Sequence, residues 1–208
     1  MKVLVAFEFS GVVRDAFINL GHDAISCDLI PSERPGPHYL GDVRDLFPDN
    51  ANPHGYDAVI AFPPCDHVSG SGCRWATDHW IKRKNKPWVW HDGSTKRAQR
   101  KESVALFRWV LDLPVEKIAA ENPVGVLSTL VRKPDQIIQP FMFGHGERKT
   151  TCLWLKNLPR LVPTNEVKGR EQRVWKMAPG KDRAKERGRT YQGVGDAMAQ
   201  QWGGGESK

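Results

Sequence analysis

The sequence predicts an α/β fold built on a doubly wound, mostly parallel sheet. Short apolar runs recur along the chain and helical patterns separate several of them. The polar residues that stand out chemically fall just after those runs. Strands alternating with helices pair in parallel through crossovers, and ligands of such sheets sit beyond the carboxyl ends of the strands.

In order, "KVLVAFEF" reads as a buried first strand, and "GVVRDAFINLG" as a helix closed by Gly21. "DAISCDLI" is a second strand that ends in the loop "PSERPGPH", and "YLGDVRDLF" holds a short strand or turn with Asp42. "YDAVIAF" is an apolar strand running into "PPC". "RKESVALFRWVLDL" places Val104, Leu106, Phe107, Val110 and Leu111 on one helical face. "EKIAAEN" and "TCLWLKNL" supply two more strands. Residues 66–101 and 165–190 break the rhythm, being polar, basic and weakly periodic, and are expected to be long loops or mobile arms. The whole chain, 1–208, is expected to form a single domain with those two basic loops.

The bulk properties are those of a soluble globular chain, with 39% hydrophobic and 26% charged residues. Its 31 Lys+Arg outnumber 24 Asp+Glu, for a net charge of +7, which favours polyanionic partners, nucleic acid first. The apolar start is short and broken by Glu8, so a strand rather than a signal peptide is expected. No run is long enough to span a bilayer. Four scattered cysteines (Cys27, Cys65, Cys73, Cys152) form no CxxC pair, which points to reduced thiols in a cytoplasm. Cys65, His67, Cys73 and His79 lie near one another, but their spacing fits no common zinc pattern, and no metal is expected.

The chemistry-bearing residues cluster at the predicted strand ends. "FEFSG", residues 7–11, makes a tight turn into a helix whose N-terminal amides favour an anionic group. Asp28 stands where an acid can accept hydrogen bonds from both hydroxyls of a ribose, roughly 20 residues past that turn. The turn is not G-x-G-x-x-G, so a tight turn with a solvated acid is the alternative. Pro63 and Pro64 stiffen the corner that carries Cys65, a thiol at the ligand edge whose reactivity depends on local positive potential. The alternative there is a buried structural cysteine. Glu121, in "AAENPVG", follows the next strand and can face Cys65 across the same crevice. A carboxyl buried there can hold a proton and donate a hydrogen bond; a surface turn is its alternative.

With Asp28, Gly41-Asp42, "PPC" (63–65) and "ENP" (121–123) in order, the chain resembles the cytosine-C5 DNA methyltransferases, most closely their short phage and prophage members. "FEFSGVVRDAF", "PPCDHVSGSG", "IAAENPVG" and "FGHGERKTTCLWLKNLPRL" carry the likeness, over nearly the whole length. The resemblance implies a Rossmann-like methyltransferase fold, S-adenosylmethionine as methyl donor and DNA as substrate, in a bacterial or phage-infected cell. Genome protection, as in restriction-modification, is implied as a role. It implies that Phe7, Glu8, Phe9, Ser10 and Gly11 line the methionine and adenine region. Asp28, with Leu29 beside it, would take the ribose hydroxyls, and Asp42, beside Val43, the adenine amino group. Pro63, Gly193, Val194 and Gly195 are further cofactor neighbours, with Ala197 and Met198 opening a helix. Cys65 would add to cytosine C6 and Glu121 would hold the N3 edge. Arg148 or Lys149 would approach the pyrimidine carbonyl, with Arg148 taken as the catalytic cation.

Two departures bear on that reading. Phe9 stands where the family usually has glycine, and the interval near 160–190 is too short for a separate target-recognition domain. A short or degenerate site gripped by the basic loops is therefore expected. Trp75, Trp80, Trp88 and Trp90 either stack on bases or fill a flipped base's gap, or else pin a long loop to the core. Two other functions stay open: methylation of a free cytosine nucleotide, and a catalytically silent cofactor- or DNA-binding module.

Overall fold

The structure, a computed structural model, describes residues 1–70, 75–82, 84, 86–178, 180 and 183–204, with residues 174, 175 and 184 described by their backbone alone. The chain begins β1 (Lys2–Ala6), α1 (Val12–Asn19), β2 (Asp23–Asp28), β3 (His38–Leu40) and β4 (Ala58–Ala61). A ribbon of β5 (His79–Lys82) and β6 (Trp88–His91) precedes α2 (Ser94–Leu111) and β7 (Lys117–Pro123). Then come α3 (Leu127–Leu130), β8 (Gln136–Ile138), β9 (Thr151–Lys156), α4 (Arg173–Lys176), α5 (Arg183–Gly188) and α6 (Gln192–Trp202).

A seven-stranded sheet runs in the order β3-β2-β1-β4-β7-β9-β8. Its first five members pair in parallel, and β9 runs antiparallel between β7 and β8. The doubly wound, mostly parallel, Rossmann-like expectation holds. The chain winds outward from β1 to β3, then returns to β4 on the other side of β1. That reversal opens a crevice at the carboxyl ends of β1 and β4.

The apolar runs of the central strands are continuous because both faces are covered. Leu4, Ala6, Val59, Ala61, Ile118 and Ala120 pack with Val104, Phe107 and Val110 of α2. Their neighbours Val3, Val5, Ala58, Ile60 and Ala119 face Val13 and Phe17 of α1 and Met198 and Trp202 of α6. Phe107 meets Trp154 of β9 edge-on, with ring centroids 4.9 Å apart.

The stretches expected to be loops carry more order. The ribbon occupies part of 66–101, and α2 starts at Ser94, where Asp92 accepts from the Ser94 amide at 2.8 Å. The polar first turns of α2 lack the apolar stripe on which the sequence reading depends. Residues 165–190 contain the short helices α4 and α5. Helix α6 opens at Gln192, before the expected Ala197. Glycines in its first turn suggest a loop, yet a Cβ at Gly193 would collide with the Phe143 carbonyl oxygen, and one at Gly195 would lie 3.1 Å from Val12 Cγ1. These glycines let α6 approach the body of the protein.

Between β2 and β3 no helix forms, and one buried cation organises the loop. Arg14, 0% exposed, pairs with Asp15 at 2.7 Å. It donates to Ser26 Oγ (3.2 Å), Ser32 Oγ (3.1 Å) and the carbonyls of Pro35 (3.0 Å), Arg34 (3.3 Å) and Pro37 (3.4 Å). Removing it strands these acceptors, the fully buried Ser26 hydroxyl among them. Arg14→Met should lower stability by about 2–4 kcal/mol, read from the urea unfolding midpoint. A midpoint like that of the parent chain would show that the loop holds without it.

Candidate functional site

At the end of β1, Phe7 adopts φ 58° and Gly11 φ 73°, turning the chain sharply into α1. Glu8 is buried. Its Oε1 accepts from Ser10 Oγ at 2.8 Å and from the Val13 amide at 3.0 Å, and Ser10 Oγ accepts from the Val12 amide at 3.3 Å. The chain thus fills the start of α1 with its own carboxylate rather than holding it open for an outside anion. Glu8 Oε2 is buried without a hydrogen-bond partner among the described residues. Burial raises the Glu8 pKa, against the pull of the Val13 amide, the Ser10 hydroxyl and the Arg14 charge. Helix α5 covers Phe9, with Lys185 Nζ 5.6 Å from its ring centroid.

At the end of β4, Pro63 is buried and its carbonyl accepts from Asn122 Nδ2 of β7 at 2.8 Å. Cys65 is half-buried and its carbonyl accepts from the amides of Ser69 (2.9 Å) and Val68 (3.2 Å). Burial raises the Cys65 thiol's pKa, with help from the charges of Asp66 and Glu121; Arg187 and Lys149 oppose them. Glu121, half-buried, is likewise raised by burial, and the Lys149 charge and Thr151 hydroxyl pull it back. Cys65 and Glu121 therefore lie within electrostatic reach of each other and of the same ammonium.

A small hollow of about 30 Å³, partly open to solvent, has Phe62, Glu121, Lys149, Thr151, Tyr191 and Val194 among its walls. Cys65 stands outside these walls, against the core on the α2 side. Arg148 is exposed and does not line the hollow, whereas Lys149 donates from Nζ to the Arg189 carbonyl at 3.3 Å and lies 5.8 Å from the Tyr191 ring centroid. Lys149 and Thr151 both line the hollow where the chain enters β9, whereas Arg148 is exposed. Of the two cations named from the sequence, Lys149 is the one beside Glu121.

The remaining sequence-named residues divide. Asp28 is half-buried at the end of β2. Burial raises its pKa against the amides of Ile30 and Leu29 and the His38 charge. Leu29 beside it is 72% exposed and Leu40 of β3 58% exposed, an apolar surface flanking the acid. Asp42 is already engaged. Its Oδ1 accepts from the Arg44 amide at 2.9 Å and from the guanidinium at 3.0 Å, which holds its carboxyl below the usual range. Val43 is buried in the core, and Gly195 packs against α1 rather than facing the hollow. Asn122, Thr151, Tyr191 and Arg187 were not named as site residues. The one available signal was that a buried Glu121 needs cations and donors near it. Cys73 of the zinc alternative lies outside the described residues, and among those described no cluster suits a metal. Nor is any described helix long and apolar enough to cross a membrane.

No family model matches this sequence, and no curated protein does. Among solved structures, the chain is similar to a candidate DNA modification methyltransferase encoded within a prophage (E. coli). The TM-score is 0.44 at 14% identity, over 79% of this chain and 51% of that one. It is also similar to a mutant DNMT2 from Spodoptera frugiperda, with a TM-score of 0.42 at 14% identity over 82% and 54%. The chain spans about half the length of these proteins, and similarity this distant leaves the function to be argued from the chain's own residues.

The electrostatics can be checked through Cys65. Its alkylation by iodoacetamide, followed by mass spectrometry, should rise with pH about a midpoint above that of the urea-unfolded chain. Glu121→Gln removes a negative charge and should lower the midpoint; Lys149→Met removes a positive one and should raise it. A folded-state midpoint at or below the unfolded value would contradict the site's electrostatics.

Proposed function

We propose that this chain is an S-adenosylmethionine-dependent methyltransferase that transfers a methyl group to C5 of cytosine in DNA. The observation that carries the reading is the placement of Cys65 and Glu121 just past the paired ends of neighbouring parallel strands, with Lys149 beside Glu121 in the wall of one hollow. A thiol alone at a strand end is unremarkable chemistry. A thiol, a carboxyl biased toward its protonated form and a cation together match the demands of a pyrimidine ring.

S-adenosylmethionine, when bound, supplies an electrophilic methyl group. The residues present fit it in part. The orphaned, buried Glu8 Oε2 suits an ammonium group, and Asp28 with the exposed Leu29 and Leu40 suits a ribose and the face of an adenine. Asp42 reaches an adenine amino group only if Arg44 shares it.

On the substrate side, the Cys65 thiolate adds to cytosine C6, which breaks the ring's aromaticity and makes C5 nucleophilic. Glu121, once it has taken up a proton, a form that burial favours, donates to N3 and neutralises charge developing on the ring. Lys149, in place of Arg148, is the cation for the pyrimidine carbonyl. Once C5 is alkylated, a water molecule acting as base takes the C5 proton, the C5–C6 double bond re-forms, and the C6–S bond breaks with its electron pair leaving on the Cys65 thiolate. Cys65 is a free thiol, as that cycle requires, and the reaction belongs in a reducing cytoplasm.

Labelled-methyl transfer to duplex DNA, dCMP and dCTP, run in parallel, tests substrate and mechanism together. Cys65→Ala should lower transfer to DNA by at least about 10³-fold while leaving cofactor binding, read by calorimetry, intact. Full activity in that variant removes Cys65 as nucleophile, and transfer to the monomers alone removes DNA as substrate.

A further inference from the structure

The ribbon of β5 and β6 has no part in the chemistry above, yet it exposes three tryptophans. Its antiparallel register pairs His79↔His91, Trp80↔Trp90, Ile81↔Val89 and Lys82↔Trp88. Side chains alternate across a strand, so Trp80, Trp90, Lys82 and Trp88 share one face. Trp80 is 60% exposed, Trp88 56% and Trp90 52%. Of the two sequence-based readings of these tryptophans, pinning to the core does not fit the three exposed ones. Trp75 is half-buried and meets the His91 ring edge-on at 5.2 Å.

A two-stranded ribbon is marginal by itself, and here its root is clamped. Asp78 accepts from the Gly93 amide at 2.8 Å and from Arg97 at 2.9 Å, and His91 Nε2 bonds the Trp75 carbonyl at 2.9 Å. The exposed face is thus presented on a fixed base. Trp80 and Trp90 meet at 67° with centroids 5.4 Å apart, edge-on rather than stacked flat, and each remains more than half exposed. Lys82 Nζ lies 5.6 Å from the Trp88 centroid.

Charge selects the occupant. From residue 79 to 91 the sequence contains Lys82, Arg83, Lys84 and Lys86 and no Asp or Glu. Flat aromatic faces on a ribbon whose sequence is this rich in cations fit a polyanion that itself has flat faces. Paired bases in a duplex offer only edges and phosphates, whereas unpaired bases offer their π-faces for stacking. Position agrees: Lys96 of α2, the helix that follows the ribbon, donates to the Asp66 carbonyl at 2.9 Å, next to Cys65.

We propose that the Trp80–Trp88–Trp90 face of the ribbon is a stacking platform for unpaired bases of a DNA strand. Its lysines hold the phosphates, and the platform delivers the strand to the Cys65 corner. The delivery step rests on the methyltransferase reading, but the binding does not.

The test is fluorescence anisotropy of the full chain, without methyl donor, on a labelled 20-nucleotide oligo(dT) and on a 20-base-pair duplex. The single strand should bind at least about tenfold more tightly than the duplex, and Trp80→Ala/Trp90→Ala should weaken it by about tenfold or more. Trp80→Phe/Trp90→Phe should retain most of the affinity, and Lys82→Ala should shallow the salt dependence by about one ion. Equal or tighter duplex binding overturns the proposal. So does oligo(dT) affinity within twofold of the parent in a folded double-alanine variant, or a dimer in gel filtration that this variant dissolves. If the double-alanine variant does not fold, Trp88→Ala and the parent's strand preference decide in the same way. Oligo(dT) binding without methyl transfer to any DNA would sink the proposed reaction and leave the platform standing; the converse result would do the opposite.

Discussion

One buried amide sets the geometry on which the site depends. The pairing of β4 with β7 ends at Ala61↔Ala120, just before the chain turns through the two prolines on one strand and reaches Glu121 on the other. Asn122 Nδ2 bonds the Pro63 carbonyl across that point at 2.8 Å, in a place where Asn122 is 1% exposed. A hydrogen bond shielded from water is costly to leave unmade, so the corner bearing Cys65 is held to the strand bearing Glu121. Proline supplies local stiffness, and the asparagine converts it into a fixed relation between two strands.

A second chain of contacts reaches the site from the opposite side. Arg14 pins the loop between β2 and β3, and Glu33 in that loop pairs with Arg189 at 2.7 Å and Lys185 at 2.9 Å. Hydrogen bonding to Arg189 leads the causes that bring the Glu33 carboxyl down to about 2. These pairs dock α5 over Phe9 and bring Arg187 to where its charge acts on Cys65. Salt screens such partly exposed pairs, so this side of the site is the more adjustable one. The resting thiol is disfavoured as thiolate by burial and by two acids. Cations from α5 and from the entry to β9 are what oppose that penalty.

Local pattern was enough to locate the central strands, the core of α2 and the strand-end positions of Glu8, Asp28, Cys65 and Glu121. Apolar runs buried on both faces leave a strong trace in a chain, and chemistry-bearing residues stand out against them. Elsewhere the trace failed for identifiable reasons. The first turns of α2 are polar and exposed, so no stripe marks them. The opening of α6 contains glycines whose purpose is a close approach to Phe143 and Val12, contacts remote in sequence. Asp42 looked free in the sequence because nothing there shows that Arg44, two residues on, folds back to occupy it.

What the amino-acid order determined alone was the fold class and which residue types arrive at the carboxyl edge, since both follow from hydrophobic periodicity and from where it stops. Which of those residues meet was decided only in three dimensions. Arg148 and Lys149 are equivalent as letters, yet in the folded chain Lys149 lines the hollow with Glu121 and Arg148 is exposed. The tryptophans of the ribbon differ in the same way: a cross-strand register invisible in the sequence gathers three of them on one open face and leaves Trp75 at the root. Burial, charge pairing and register are relations between distant segments, and only the packed chain brings those segments together.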